Sequence, residues 1–421
     1  MLIVKNGRII NPKENIDEIG DIFIKNGKIV PEFKVNDETV VIDAAGLVVA
    51  PGLVDVHVHL RDPGQTYKED IITGAKAAAA GGVTTMLCMP NTKPAIDSIE
   101  TVKYVLDRAK DADVNVLPFA AVTAGQNGEQ LTDMKELLAA GAAAFSDDGI
   151  PIDRADIMRD ALIMTRELGS AISSHCEDAG MVQNYAVNEG RISEKLGIPG
   201  RPAIAEEIMV CRDIMLAGET GGHVHIAHVS TKGSVDIIRE AKARGIHVTA
   251  ETCPQYFSIT EELILEKGTL ARVNPPLRTM EDVIAIIEGL SDGTIDAIVT
   301  DHAPHSTEEK QRDLTDAPSG MIGLETSLAL TLTKLYHNEK FTINDIIKFM
   351  STTPSEVFNL GKGSISIGSD ADIVIFDPDQ HWIIDPEKFR SKARNTPFGG
   401  MAVKGRVKYT IVSGEVVYKE D

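Results

Sequence analysis

The chain has 421 residues, 43% hydrophobic and 25% charged, a globular composition long enough to bury a large core, which excludes a mainly disordered protein. Its 63 acidic residues against 42 basic ones leave a net charge of -21 and exclude a nucleic-acid or anionic-membrane surface, because both need clustered positive charge. No apolar run reaches the roughly 18 residues of a membrane span, and the opening MLIVKNGRIINPKEN has no signal-peptide apolar core, so a cytoplasmic protein is expected.

Residues 1–50 read as β-structure. MLIVKNGRII and DIFIKNGKIV each carry Asn-Gly between apolar alternations, at Asn6-Gly7 and Asn26-Gly27, and each pair is expected to turn a hairpin. TVVIDAAGLVVA continues the pattern over 39–50. Eight short apolar runs follow, at 53–59, 83–88, 114–121, 142–146, 171–175, 223–228, 247–251 and 296–300. Amphipathic segments such as EDIITGAKAAAA and DIMRDALIMTREL lie between them. Eight β-then-α units predict a (β/α)8 barrel, with an open doubly wound sheet as the second arrangement. The stretch 181–202, after the fifth strand, is long for a connection and reads as a lid or a packed surface helix. ADIVIFDP and VKGRVKYTIVSGEVVY, with a turn at Ser413-Gly414, return to β-structure. The expected α/β fold is thus a catalytic barrel over 53–360 and a small β-sandwich domain built from both termini, 1–52 and 361–421. The cysteines Cys88, Cys176, Cys211 and Cys253 are far apart and read as reduced, mostly buried thiols.

A barrel carries its chemistry at the C-terminal ends of its strands. His57 and His59 end the first run, and residues i and i+2 share a strand face, so both imidazoles can reach one ion. Asp147 and Asp148 follow the fourth run, His175 ends the fifth, His228 the sixth, and Asp301 follows the eighth. Any one of these has a plain structural reading, an aspartate as a turn cap for example. Chance does not readily set all of them on one rim. His223 and His225 fall earlier in their strand and read as interior packing, and His247 and His337 as ordinary histidines. Nitrogen and carboxylate ligands without thiolate suit Zn²⁺, or Mn²⁺ or Co²⁺ in its place. Six ligands are more than one tetrahedral zinc needs, and they suit two ions sharing a carboxylate and a hydroxide.

The motifs DVHVHLRDPGQTYKED (55–70), MPNTKP (89–94), FSDDG (145–149), HIAHVS (225–230), ARVNPPLR (271–278) and VTDHAPHSTEEK (299–310) resemble the bacterial type I dihydroorotases of the amidohydrolase superfamily, over essentially the whole chain. The resemblance implies two zinc ions per subunit: His57 and His59 on one, His175 and His228 on the other, Asp148 and hydroxide bridging them. Asp301 would ligate the first zinc and act as catalytic acid/base. Spacing does not separate Asp147 from Asp148; the resemblance alone chooses Asp148. Allantoinases, hydantoinases and other dihydroorotase classes use a carbamylated lysine at the bridge, and no lysine occupies 142–149.

By the same resemblance Arg61 grips the substrate carboxylate, a task suited to a planar fork. Asn91, Asn274 and His305 match other substrate-binding positions, as does the backbone at Ser319 and Gly320, where many relatives carry a bulkier residue in place of Ser319. The implied reaction is the reversible cyclisation of N-carbamoyl-L-aspartate to L-dihydroorotate in de novo pyrimidine biosynthesis. A homodimer and an association with aspartate transcarbamoylase are also implied. The competing readings are another cyclic amidase, for which a carboxylate clamp has no use, and a non-catalytic scaffold for the transcarbamoylase, which would not need all six ligands.

Overall fold

A computed structural model describes residues 1–183 and 185–420. The N-terminal strands are β1 (Leu2–Asn11), β2 (Ile16–Lys25), β3 (Lys28–Val30), β4 (Val40–Asp43) and β5 (Val48–Pro51). Asn26 and Gly27 join β2 to β3 with φ of 53° and 74°, the paired left-handed conformation of a two-residue hairpin. The same dipeptide at Asn6-Gly7 behaves differently. Strand β1 runs straight through it, its register with β2 shifts between Val4 and Gly7, and Asn6, at φ 61°, sits in a β-bulge. The reversal comes later, where Pro12 opens a helical turn and Asn15 closes it at φ 54°. Gly7 has a further reason to lack a side chain: a Cβ there would stand 2.3 Å from Val49 Cγ2.

Next come β6 (Leu53–Val58), β7 (Val83–Cys88), β8 (Asn115–Ala120), β9 (Ala144–Ser146), β10 (Ala171–Ser174), a short parallel pair β11 (Val187–Asn188) and β12 (Gly200–Arg201), then β13 (His223–Ile226), β14 (Val248–Thr252) and β15 (Ala297–Ile298). Apart from the short pair, these form one parallel sheet in the order β6-β7-β8-β9-β10-β13-β14-β15. Its two edges meet. Val58 bridges His302, and the His59 N–H donates to the His302 carbonyl at 2.8 Å. The buried Asp55 carboxylate accepts from the Thr300 N–H at 3.2 Å and its hydroxyl at 2.6 Å. The sheet therefore closes into the expected α/β barrel. Helices such as Ile71–Ala80, Ala155–Leu168, Ile204–Thr220 and Lys232–Ala243 connect its strands. In Ile71–Ala80 the buried side is largely alanine, which lets the helix axis approach the sheet closely.

The stretch 181–202 is a folded excursion holding β11, β12 and a short helix, Arg191–Leu196, with Ile192 fully buried; residue 184 lies outside the described residues. The last strands are β16 (Ile373–Ile383), β17 (Ala402–Val412) and β18 (Glu415–Lys419). Ser413 and Gly414, at φ 49° and 78°, turn β17 into β18 as expected. Strand β16 pairs with β5, so both chain ends share one network, β18-β17-β16-β5-β1-β2-β3, with β4 also on β1. Leu2, Val4, Ile22, Ile24, Ile373, Ile375 and Ile411 give this sheet an apolar core distinct from the barrel's. Between β16 and β17 the chain leaves the sheet and passes under the barrel rim, where the buried Asn395 amide donates to the Ala303 and Gly320 carbonyls and accepts from the His305 N–H, each at 3.1 Å. Cys88, Cys176 and Cys253 are buried free thiols, and Cys211 is an exposed one. Among the described residues no helix is long and apolar enough to cross a membrane.

Candidate metal centre

The barrel brings His57, His59, Asp148, His175, His228 and Asp301 to one buried point at the C-terminal ends of its strands. His57 lies in β6 and His59 follows on the same face. Asp148 comes two residues after β9, its N–H donating to Ser146 Oγ at 2.9 Å. Arg61, His228 and Asp301 have positive φ (59°, 34° and 48°), a strained state for residues with side chains and one that concentrates at working sites.

The donor atoms converge. Asp148 Oδ1 lies 3.4 Å from His57 Nε2, 3.4 Å from His228 Nε2 and 3.6 Å from His175 Nδ1, and Asp148 Oδ2 lies 3.4 Å from His59 Nε2. Asp301 Oδ1 is 3.1 Å from His59 Nε2 and 3.7 Å from His57 Nε2. His57, Asp148 and His228 form one group of ligand atoms within 4.8 Å of one another, and His57, His59 and Asp301 form a second. His57 Nε2 and Asp148 Oδ1 are buried with no hydrogen-bond partner, although polar atoms out of water are ordinarily satisfied. His175 Nδ1 and His228 Nε2 approach to 2.8 Å. Four ring nitrogens and two carboxylates so placed call for positive charge among them, and a divalent metal fits that donor set.

The electrostatics agree. Burial opposes charge on the Asp148 carboxyl, yet His57, His175 and His228 outweigh it and hold the group well below the usual range. Burial likewise opposes charge on His57 and His175, and the facing carboxylates raise both, His175 to about 10.

Asp147 is turned away from this point. It accepts from the Val122 N–H at 2.8 Å, the Thr123 N–H at 3.2 Å and the Thr123 hydroxyl at 2.5 Å, tying the loop after β8 to the loop after β9. Burial pushes its pKa up from 3.8 to about 6, against those hydrogen bonds. A carboxyl raised on folding stabilises the fold fully below about pH 3.8, and that contribution is lost as pH rises through about 6. In urea melts at a series of pH values, Asp147→Asn is expected to flatten this part of the wild-type decline while leaving metal content unchanged.

Of the residues expected to hold substrate, Arg61 is buried beside the centre, its Nε donating to the Pro304 carbonyl at 3.3 Å. His305 Nε2–H donates to the Ser319 carbonyl at 2.9 Å, and Lys68 Nζ stands 3.4 Å from His305 Nδ1. Burial, Arg61 and Lys68 hold His305 far below its ordinary pKa, so it is a neutral imidazole with a fixed proton. A Cβ on Gly320 (φ 136°) would stand 2.8 Å from Ala303 Cβ and 3.1 Å from His305 Nε2, so this loop seats only a glycine there. Lys310 Nζ donates to the carbonyls of Thr269, Arg272 and Pro318 at 2.8–3.3 Å and ties the loop to the segment before Asn274. Asn91 and Asn274 stand against ligand candidates: Asn91 Oδ1 accepts from His59 Nδ1 at 2.9 Å, and Asn274 Nδ2 lies 3.3 Å from His175 Nε2.

Residues 46–234 match the family described as Dihydro-orotase-like, and residues 288–418 the one described as Amidohydrolase family. The chain is 50% identical to the dihydroorotase of Clostridioides difficile (strain 630) over 421 residues, covering 99% of this chain and 100% of that one. The chain belongs to the dihydroorotase family. It is also 48% identical to the dihydroorotase of Geotalea daltonii across 100% of both chains. Among solved structures it resembles the L-hydantoinase (dihydropyrimidinase) of Arthrobacter aurescens, with a TM-score of 0.88 and 27% identity over 99% of this chain and 96% of that one. Metal dependence is a property of the amidohydrolase superfamily to which the dihydroorotase family belongs, and the donor set here is consistent with it.

Three polar residues of this dihydroorotase-family site went unnoticed in the sequence. Glu251, at 0% exposure, lies 2.5 Å from His57 Nδ1. Glu177 Oε2 stands 3.5 Å from His175 Nε2 and 3.2 Å from Asn274 Nδ2. Arg201, carried in by the 181–202 excursion, donates to Glu177 at 2.6 Å and also to Asn274. For Glu251 a signal existed, since a carboxylate ending the seventh barrel strand belongs to the same rim. For Arg201 there was none.

Proposed function

We propose that this chain is a metal-dependent dihydroorotase that interconverts N-carbamoyl-L-aspartate and L-dihydroorotate in pyrimidine biosynthesis. The observation that carries the proposal is an aspartate, Asp148, among four imidazoles, with the buried Arg61 guanidinium two residues beyond His59. His57, His59 and Asp301 would hold one zinc, His175 and His228 a second, and Asp148 would bridge. Such a pair supplies Lewis acidity at the amide carbonyl and a nucleophile at neutral pH. In ring opening, Asp301 takes the proton of the attacking water and delivers it to the ring nitrogen that leaves. Arg61 holds the ring carboxylate, and neutral His305 with the Ser319–Gly320 backbone closes over the ring. Asn91 and Asn274 complete the substrate's polar surroundings while orienting His59 and His175. Residues 53–360 carry this chemistry, and 1–52 with 361–421 form the supporting sheet, Asn395 reaching from it to the substrate loop. The reading also has the chain act in the cytoplasm as a homodimer; co-purification tests an association with aspartate transcarbamoylase.

The likeness to a hydantoinase supplies the second reading, a neutral cyclic amide as substrate. Initial rates on L-dihydroorotate, hydantoin and dihydrouracil decide between them. Turnover of dihydroorotate above the neutral rings is expected, and preference for hydantoin would overturn the assignment. Arg61→Ala is expected to raise KM for dihydroorotate roughly 10–100-fold, the loss of one charge-assisted hydrogen-bonding group, with zinc content unchanged.

A further inference from the structure

We infer that Glu251 is a positioning residue that sets the tautomer of His57, and that a hydrogen-bonded chain through the barrel interior sets Glu251 in turn. The inference rests on the metal-centre reading above. Glu251 stands on β14, the seventh barrel strand, and reaches across the interior to His57 on the first. Glu251, His57 and His225 are all fully buried. An ionised carboxylate only accepts. His57 Nδ1, 2.5 Å from Glu251 Oε1, must therefore carry a proton, and once a metal displaces the second proton that the facing carboxylates favour, this is the ring's one N–H. That leaves the lone pair on Nε2, the partnerless atom aimed at Asp148 and Asp301.

The other carboxylate oxygen fixes the remaining protons. His225 Nε2–H donates to Glu251 Oε2 at 3.0 Å, so His225 Nδ1 is an acceptor. The Thr249 hydroxyl lies 2.8 Å from it and gives it its single proton. Thr249 Oγ1 then accepts from His223 Nε2–H, also at 2.8 Å. His223 stacks on the exposed His247 with ring centroids 4.0 Å apart, so the chain runs from the metal end of the barrel to its opposite mouth. His223 and His225, read from sequence as packing residues, are members of this ordered chain.

Glutamine at 251 keeps the shape but not the pattern, because one of its two terminal atoms becomes a donor. Turned toward His57, it moves the His57 proton to Nε2 and blocks the ligand atom. Turned toward His225, it reverses the tautomers behind. Glu251→Gln is expected to weaken zinc binding roughly 10–100-fold, the range for outer partners of metal-bound histidines. Chelator competition on the folded variant reads this, with circular dichroism as the check on folding. A folded variant of wild-type zinc affinity whose His57 Nδ1 has lost its proton overturns the inference, as does one of weakened affinity whose His57 Nδ1 keeps it. Ring-¹⁵N-histidine NMR of the zinc-loaded wild type tests it without a variant: protons on His57 Nδ1 and His225 Nε2 are expected, and an unprotonated His57 Nδ1 overturns it. Zinc binding without dihydroorotate turnover would end the proposed reaction and leave this inference standing. No zinc binding at all would end both.

Discussion

Asp148→Ala is expected to empty the centre of metal and abolish turnover. The Asp148 carboxylate lies within 3.4–3.6 Å of ring nitrogens of His57, His59, His175 and His228, so its removal takes the shared anion from both halves of the site at once. Loss of zinc affinity should exceed the roughly 10–100-fold typical of outer partners, and kcat/KM should fall with it. Asp147→Ala is the control. Its carboxylate accepts only from Val122 and Thr123, so that variant should lose stability and keep its zinc. Metal analysis of both proteins after dialysis decides the matter, and full zinc in Asp148→Ala would remove the bridging role.

Asp301→Asn is expected to lower kcat roughly 10²–10⁴-fold, the usual worth of a positioned acid/base, with a smaller effect on KM. Asp301 sits at the centre's edge, 3.1 Å from His59 Nε2, in a strained backbone conformation at φ 48°. Asparagine can still offer an oxygen but can no longer take and return a proton. A zinc-replete variant that keeps wild-type kcat would contradict the role.

The barrel and its ligand rim were legible because their signals are periodic and local. Each of the eight apolar runs overlaps one barrel strand, and His57 and His59 share a face by the two-residue repeat of a strand. Asn6-Gly7 misled, since a dipeptide with positive φ fits a bulge as well as a turn, and the partner strand decides which. Asp147 and Asp148 are adjacent, so only tertiary packing shows which one points inward. Glu251 meets His57 across 194 positions of chain, and Asn395 meets His305 across 90, distances at which spacing carries no information. Arg201 reaches Asn274 from an excursion whose path could not be read before it was folded.

The most direct test of the account is turnover of L-dihydroorotate by the purified chain, followed by loss of ring absorbance, first loaded with zinc and then after chelation. Turnover is expected with zinc, none after chelation, and recovery when zinc is restored. Undiminished turnover by the fully chelated protein, or none by a protein that holds its zinc, would contradict it.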